Sequence, residues 1–152
     1  MKRTRVVILG DSHRPPYYQE IQCGRHLLTA DESTERGGLD AGPPPFAYLL
    51  SGLGACTSIT LRMYCERKGW SIGTVMVTVE LLGTPGSWEI RRTVQILAEL
   101  TDAQRQRLTQ VCERTPVTLV VRSGLSIKTT VAVQSPGTNG TNKWGQSPLK
   151  IF

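Results

Sequence analysis

The chain has 152 residues, of which 39% are hydrophobic and 20% are charged, which is typical of a single globular domain. Its formal net charge is +6, but the basic residues are scattered and form no aromatic-interleaved run, so a nucleic-acid-binding module is the least favoured function class. The four cysteines and two histidines show no CxxC pair and no zinc-ligand spacing, so we expect no metal site. Because only the short apolar run VVIL follows the basic N-terminus, we predict no signal peptide, no membrane partner and a cytoplasmic protein.

The first forty-five residues predict a small meander followed by a loop. Short extended runs at residues 5–9, 17–22 and 26–30 are separated by turns rich in glycine and proline, which indicates three strands. Residues 31–45 are first acidic and then rich in glycine and proline. We expect this loop to lead into a helix and to be able to form one wall of a site.

Residues 43–70 form the longest stretch with helical character. Prolines open it, and Gly69 closes it directly after two cations, as is typical of the two ends of a helix. One apolar stripe recurs at intervals of three and four, and further apolar residues widen it, so we expect the helix to be buried on most sides. Gly52 and Gly54 each cost about 1 kcal/mol inside a helix, and close approach of another helix would explain them. The stripe consists of Leu49, Leu53, Cys56, Ile59 and Met63.

The remaining chain predicts a hairpin, a helix and a last strand. Residues 74–81 and 89–98 alternate across a turn at 83–87, which indicates two antiparallel strands. Thr101 and Gln104 form a capping box that opens a second helix, ending near residue 114 because Pro116 follows. An apolar run at 117–121 precedes a predicted strand at 127–133. We therefore predict a domain spanning residues 1–133, with a tail at 134–152 that is disordered or loosely attached.

This order of elements predicts an α+β fold with mainly antiparallel pairing. A long helix that is apolar on most sides needs more cover than one small sheet supplies. A symmetric dimer with the helices between two sheets would provide that cover.

The stretch DAGPPPFAYLLSGLGACTSITLRMYCERKGW resembles the signature of the OsmC/Ohr family of thiol-dependent peroxidases, and the later TPVTLVV segment is also similar. The resemblance covers roughly residues 1–133. It implies an intertwined homodimer of α+β subunits, with antiparallel sheets packed around a long central helix. It also implies reduction of hydroperoxides through two cysteines, with an external dithiol as the reductant and no further cofactor.

The first cysteine of the family matches Cys56. Its thiolate would attack the O–O bond and become a sulfenic acid, and a nearby cation would lower the thiol pKa. The usual second cysteine is replaced by Thr115. Cys112, three residues earlier, is the candidate resolving thiol, with a role as core filler as the alternative. Cys65 is a poor substitute because it lies half a turn out of phase with Cys56.

The family's peroxidase branch carries a glutamate ten residues before the reactive cysteine, where this chain has Phe46. That glutamate pairs with an arginine from an N-terminal turn, and Arg14 is the nearest match, with Arg25 as the runner-up. A solvated turn arginine is the alternative interpretation of each. The expected apolar substrate pocket is lined by Phe46, Leu50 and Leu53.

Two functions follow from these features. The first is a hydroperoxide reductase that acts on small organic or lipophilic peroxides through Cys56. The alternative is a non-catalytic dimer of the same fold that binds a small molecule or senses redox state.

Overall fold

The computed structural model describes residues 7–11 and 16–132. These residues form two compact units, one from the described parts of Met1–Gly42 and Ser126–Phe152, the other from Pro43–Leu125. Arg14 and the tail at 134–152 lie outside the described residues, as do the first two residues of the predicted first strand.

The first unit contains a three-stranded antiparallel sheet, which confirms the predicted meander. Its strands are β1 (Ile8–Asp11), β2 (Gln19–Cys23) and β3 (His26–Ala30), paired in chain order. The following loop contains a short 3-10 helix at Thr34–Arg36 and is organised by one buried carboxylate. Asp31 accepts hydrogen bonds from the backbone N–H groups of Glu32, Leu39 and Ala41, at 2.8, 3.0 and 3.2 Å. Burial opposes ionisation of Asp31, but these three donors leave its pKa lowered.

The second unit is built on the long helix α1 (Pro45–Lys68). Proline occupies its first turn, where a missing N–H costs nothing, and Gly69 ends it in the left-handed conformation at φ 65°. Both predicted helix ends are therefore confirmed.

Strands β4 (Val75–Thr84) and β5 (Ser87–Ile96) form the predicted antiparallel hairpin, closed by Pro85 and Gly86. Gly86 has a φ of 91°, which a two-residue turn of this kind requires. Alternate residues of β4 are half-buried and face α1, as the sequence predicted. The same alternation in β5 turns inward an arginine, Arg92, together with Ile90, Val94 and Ile96.

The buried stripe of α1 differs from the predicted one. The buried residues are Leu53, Thr57, Leu61 and Cys65, at intervals of four, whereas Ile59 and Met63 are 59% and 54% exposed. The prediction of a helix buried on most sides is wrong for the single chain, because the hairpin and the later helices pack against one side of α1.

The two glycines of α1 have different surroundings. A Cβ on Gly54 would lie 3.3 Å from Val79 Cγ2, so the close neighbour is strand β4 and not a second helix. A Cβ on Gly52 would meet nothing within 4 Å. Close packing therefore accounts for Gly54 in the chain, while Gly52 faces open space.

Two further helices complete the second unit. Helix α2 (Asp102–Glu113) begins with the predicted capping box, in which the Thr101 side chain and Gln104 exchange hydrogen bonds with each other's backbone N–H. The apolar run at 117–121 belongs to a helix, α3 (Pro116–Ser123), with proline at its first position. Residues 124–132 form no strand, so the predicted last strand is wrong over its described part, since a strand needs a paired neighbour. Within the described residues, no helix is long and apolar enough to cross a membrane.

A candidate thiol site on the central helix

Cys56 lies in the middle of α1 and carries a free, half-buried thiol. The next residue, Thr57, is fully buried, and its hydroxyl donates to the carbonyl oxygen of Leu53 at 2.8 Å. The helix therefore places Cys56 at the boundary between its packed and exposed sides. At this position a thiol keeps partial access to solvent, while the turn that carries it is held by the core.

Arg92 on β5 connects this turn of α1 to the later helices. Its Nη1 donates to the hydroxyls of Thr57 at 3.0 Å and Thr118 at 2.8 Å. Its Nη2 donates to the Cys112 carbonyl oxygen at 3.0 Å and pairs with Glu113 Oε1 at 3.2 Å. Only 11% of the Arg92 side chain is exposed, so all four contacts lie in a partly desolvated region.

The arginine contacts fit the local backbone. The Cys112 carbonyl belongs to the last turn of α2, where a cation is favoured by the helix dipole. Thr118 also shares a hydrogen bond of 2.7 Å with the buried hydroxyl of Thr115, the residue at the expected second-cysteine position. Glu113 pairs with Arg122 as well as with Arg92, so one carboxylate serves two guanidinium groups.

A cavity of about 490 Å³ opens beside this network. Phe46 and Leu53, two of the three residues expected to line a substrate pocket, line this cavity together with Leu49. Leu50 is half-buried and is not among its lining residues, so the predicted pocket stays a prediction. One wall is apolar and includes the aromatic pair Phe46 and Trp88, whose ring centroids are 6.0 Å apart. The polar and charged residues that line the cavity are Arg92, Glu113, Thr118 and Arg122, and Cys56 is not among the lining residues.

Cys112 and Cys65 lie together in the hydrophobic core, with Leu61 and Leu108. Burial raises the pKa of the Cys112 thiol, although the Arg92 guanidinium acts in the opposite direction. Burial also raises the pKa of Cys65. Both core thiols therefore favour their neutral form, which is the less nucleophilic one.

The described residues do not test either of the two arginines predicted as the charged partner of Cys56. Arg14 lies outside them, and Arg25 is exposed in the turn between β2 and β3 of the first unit. The roles predicted for Cys56, Cys112 and Arg14 therefore stay predictions.

A family model described as "OsmC-like protein" matches residues 37–130, which is more than half of the chain. The chain belongs to the OsmC-like family. This confirms the resemblance carried by the central helix, and the α+β fold with antiparallel sheets agrees with it. No curated protein sequence matches the chain.

Solved structures of OsmC/Ohr proteins share the fold. An OsmC-like protein from Mycoplasma pneumoniae aligns with a TM-score of 0.66 at 18% identity, covering 80% of this chain and 89% of its own. An organic hydroperoxide resistance protein, OsmC, from Legionella pneumophila aligns with a TM-score of 0.57 at 19% identity, over 79% and 90% of the two chains. The organic hydroperoxide resistance protein OhrB of Bacillus subtilis aligns with a TM-score of 0.54 at 19% identity, covering 79% of this chain and 91% of its own.

Within this OsmC-like chain, sequence reasoning missed Arg92 and its partners. The signal was present, because position 92 falls between Ile90 and Val94 in the period of two that marks the inward face of β5. Thr57 was missed because the buried stripe of α1 was placed on the wrong side. Glu113 and Trp88 come from separate elements, and only the fold brings them to the cavity.

Proposed function

We propose that this OsmC-like protein is a thiol-dependent hydroperoxide reductase of the cytoplasm that acts on small apolar organic peroxides through Cys56. The observation that carries the proposal is a free, half-buried thiol on the central helix, at the position where the sequence resemblance expects the family's reactive cysteine. The Legionella and Bacillus neighbours, which are named for organic hydroperoxide resistance, support a role in the response to oxidative stress.

The reaction would begin with attack of the Cys56 thiolate on one oxygen of the peroxide. A new S–O bond forms while the O–O bond breaks, so the sulfur is oxidised to sulfenic acid and the peroxide leaves as an alcohol after taking up a proton. The half-buried position suits this step, because the Cys56 thiol keeps partial access to solvent and a peroxide can therefore reach it.

Two routes could return Cys56 to the thiol. In the first, Cys112 condenses with the sulfenic acid and releases water, and an external dithiol then reduces the disulfide. In the second, the external dithiol attacks the sulfenic acid directly. We favour the second route, because Cys112 is packed in the core beside Leu108 and its pKa is raised by burial. A disulfide would also require the two Cα atoms to lie within about 7 Å.

Mass spectrometry after addition of one equivalent of cumene hydroperoxide tests the proposal. We expect the mass to increase by one oxygen atom, located on Cys56 by peptide mapping, and to revert with dithiothreitol. Cys56→Ser should not react, whereas Cys23→Ser, which removes an exposed cysteine of the first unit, should behave like the wild type. Disulfide linkage of Cys56 to Cys112 would establish the first route. An unchanged wild-type mass would refute the reductase function.

The cavity favours a second candidate function, a non-catalytic binding protein. It is large enough for a small ligand, and Phe46, Trp88 and Leu53 give it an apolar wall, yet Cys56 does not line it. In that case a bound apolar ligand should protect the protein against heat even in the Cys56→Ser variant, while peroxide leaves the wild-type mass unchanged.

A further inference from the structure

A second cleft, of about 350 Å³, lies where the last turn of α1 meets α2. Its lining residues are Tyr64, Arg67, Lys68 and Arg107. Three of these four side chains are cations and none is a carboxylate. Cationic residues therefore predominate around the cleft, although they line it mainly with their apolar stems, and neither Cys56 nor the network of Arg92 belongs to it.

Helix-end electrostatics explain only part of this cluster. Arg67 and Lys68 occupy the last turn of α1, where cations interact favourably with unpaired carbonyl groups, and Arg67 Nε donates to the Met63 carbonyl oxygen at 3.3 Å. Arg107 lies in the middle of α2 and not in the last turn of a helix, so the dipole of its own helix does not explain its position. Its guanidinium instead lies against Tyr64, with Nε donating to the Tyr64 hydroxyl at 3.0 Å and Cζ 5.6 Å from the ring centroid.

The three cations keep donors available for a ligand. Arg107 uses Nη1 for Gln110 Oε1 at 2.9 Å, which leaves its Nη2. Within the part of the chain that the structure describes, both Nη atoms of Arg67 and the ammonium group of Lys68 make no hydrogen bond. Within residues 7–11 and 16–132, none of the three forms an ion pair with a carboxylate; the ion pairs of the second unit involve Arg91, Arg92, Arg105 and Arg122.

We propose that this cleft binds a small molecule that carries phosphate groups. Arginine presents paired N–H donors that match two phosphate oxygens, and lysine adds a compact charge, so the cluster fits a multivalent oxyanion. A bound anion would also relieve the repulsion among three neighbouring cations. The Tyr64 ring, which lines the cleft, is held in place by Arg107 and by Trp70. The Tyr64 and Trp70 rings are roughly perpendicular, with their centroids 5.8 Å apart.

Calorimetric titration with sodium pyrophosphate at constant ionic strength tests this site. We expect one pyrophosphate per chain, bound about tenfold more weakly by Lys68→Gln and by Arg107→Gln, since each variant removes a charged donor. Both residues are exposed, so the variants should fold, and circular dichroism verifies this. The matched control is Arg91→Gln, which removes an exposed arginine on β5 and should leave the affinity unchanged.

Two further arms separate the alternatives. Cys56→Ser should bind pyrophosphate like the wild type, so the anion site and the reductase function can fail independently. A short DNA duplex carries the same phosphate chemistry in a polymer, and we expect it to bind more weakly than pyrophosphate. Absence of pyrophosphate binding, an equal loss in the Arg91→Gln control, or tighter binding of the duplex with a steep salt dependence would overturn the proposal.

Discussion

Arg92 is the residue on which the packing of the second unit converges. Its guanidinium joins strand β5 to α1 through Thr57, to the end of α2 through the Cys112 carbonyl, and to α3 through Thr118. A partly buried charge of this kind persists only when its donors are satisfied, and both of its Nη atoms make two contacts each. The turn that carries Cys56 is therefore fixed by a charged side chain and not by apolar packing alone.

Replacing Arg92 by Gln should lower the free energy of unfolding by about 2 kcal/mol, because the Thr57 and Thr118 hydroxyls and the Cys112 carbonyl each lose the arginine as a donor, although Thr118 still donates to that carbonyl at 3.3 Å. Glu113 keeps Arg122, which limits the loss. Urea denaturation measures the effect. The neighbouring control Arg91→Gln, on the exposed face of the same strand, should change stability by less than about 0.5 kcal/mol. Equal values for the two variants would contradict a structural role for Arg92.

At the residue scale, a motif singled out Cys56, and its role as the reactive thiol stays a prediction. The family model matches residues 37–130, a range that contains Cys56. Arg92 has no motif, since an arginine in an amphipathic strand is ordinarily taken as solvent-facing. Its partners come from three helices, and hydrogen bonds between side chains far apart in sequence leave no local pattern.

Among the elements, those with strong local signals were predicted closely. The hairpin was predicted by its alternation, the ends of α1 by proline and glycine, and the start of α2 by its capping box. The element that failed was the last strand, because alternation specifies a face but supplies no hydrogen-bonding neighbour. Helix α3 was not assigned, since a run of eight residues rich in valine does not distinguish a short helix from a strand.

The capping box allows a test of one element. Thr101→Ala should cost about 1 kcal/mol of stability, because the Gln104 backbone N–H loses its acceptor at 3.2 Å and the reciprocal contact is weakened. Thermal unfolding followed by circular dichroism measures this. Thr109→Ala is the control, because the Thr109 hydroxyl only bonds back to the Arg105 carbonyl and alanine favours the helix interior. A loss in Thr109→Ala as large as in Thr101→Ala would show that the cap is not responsible.

At the scale of the whole molecule, α1 presents an apolar stripe that residues 7–11 and 16–132 do not cover. Leu49, Ile59 and Met63 are exposed along it, and Gly52 lies in the same row. The sequence predicted that this apolar surface is more than one small sheet can cover and that a symmetric dimer would cover it, which the single chain does not test. We propose that a second copy of the chain covers it in a homodimer, which is the arrangement that the family resemblance implies and would give Gly52 the close neighbour that the single chain lacks.

Gly52→Leu tests that assembly. A Cβ at this position meets nothing within 4 Å among the described residues and Gly52 is exposed, so the fold should be retained. The added volume should separate two helices that approach closely and raise the dissociation constant of the dimer at least tenfold, which corresponds to about 1.4 kcal/mol. Light scattering coupled to size-exclusion chromatography measures the loss of dimer. Gln106→Leu, an exposed site on α2, is the control and should stay dimeric. A monomeric wild type, or a fully dimeric Gly52→Leu, would refute the arrangement.

The burial of two free cysteines, Cys65 and Cys112, in one hydrophobic cluster has a practical consequence. Both sulfurs are shielded from reagents as long as the hydrophobic cluster around Leu61 and Leu108 stays closed, whereas Cys23 and Cys56 keep access to solvent. The rate at which an alkylating reagent modifies these two buried thiols therefore measures how often the second unit opens.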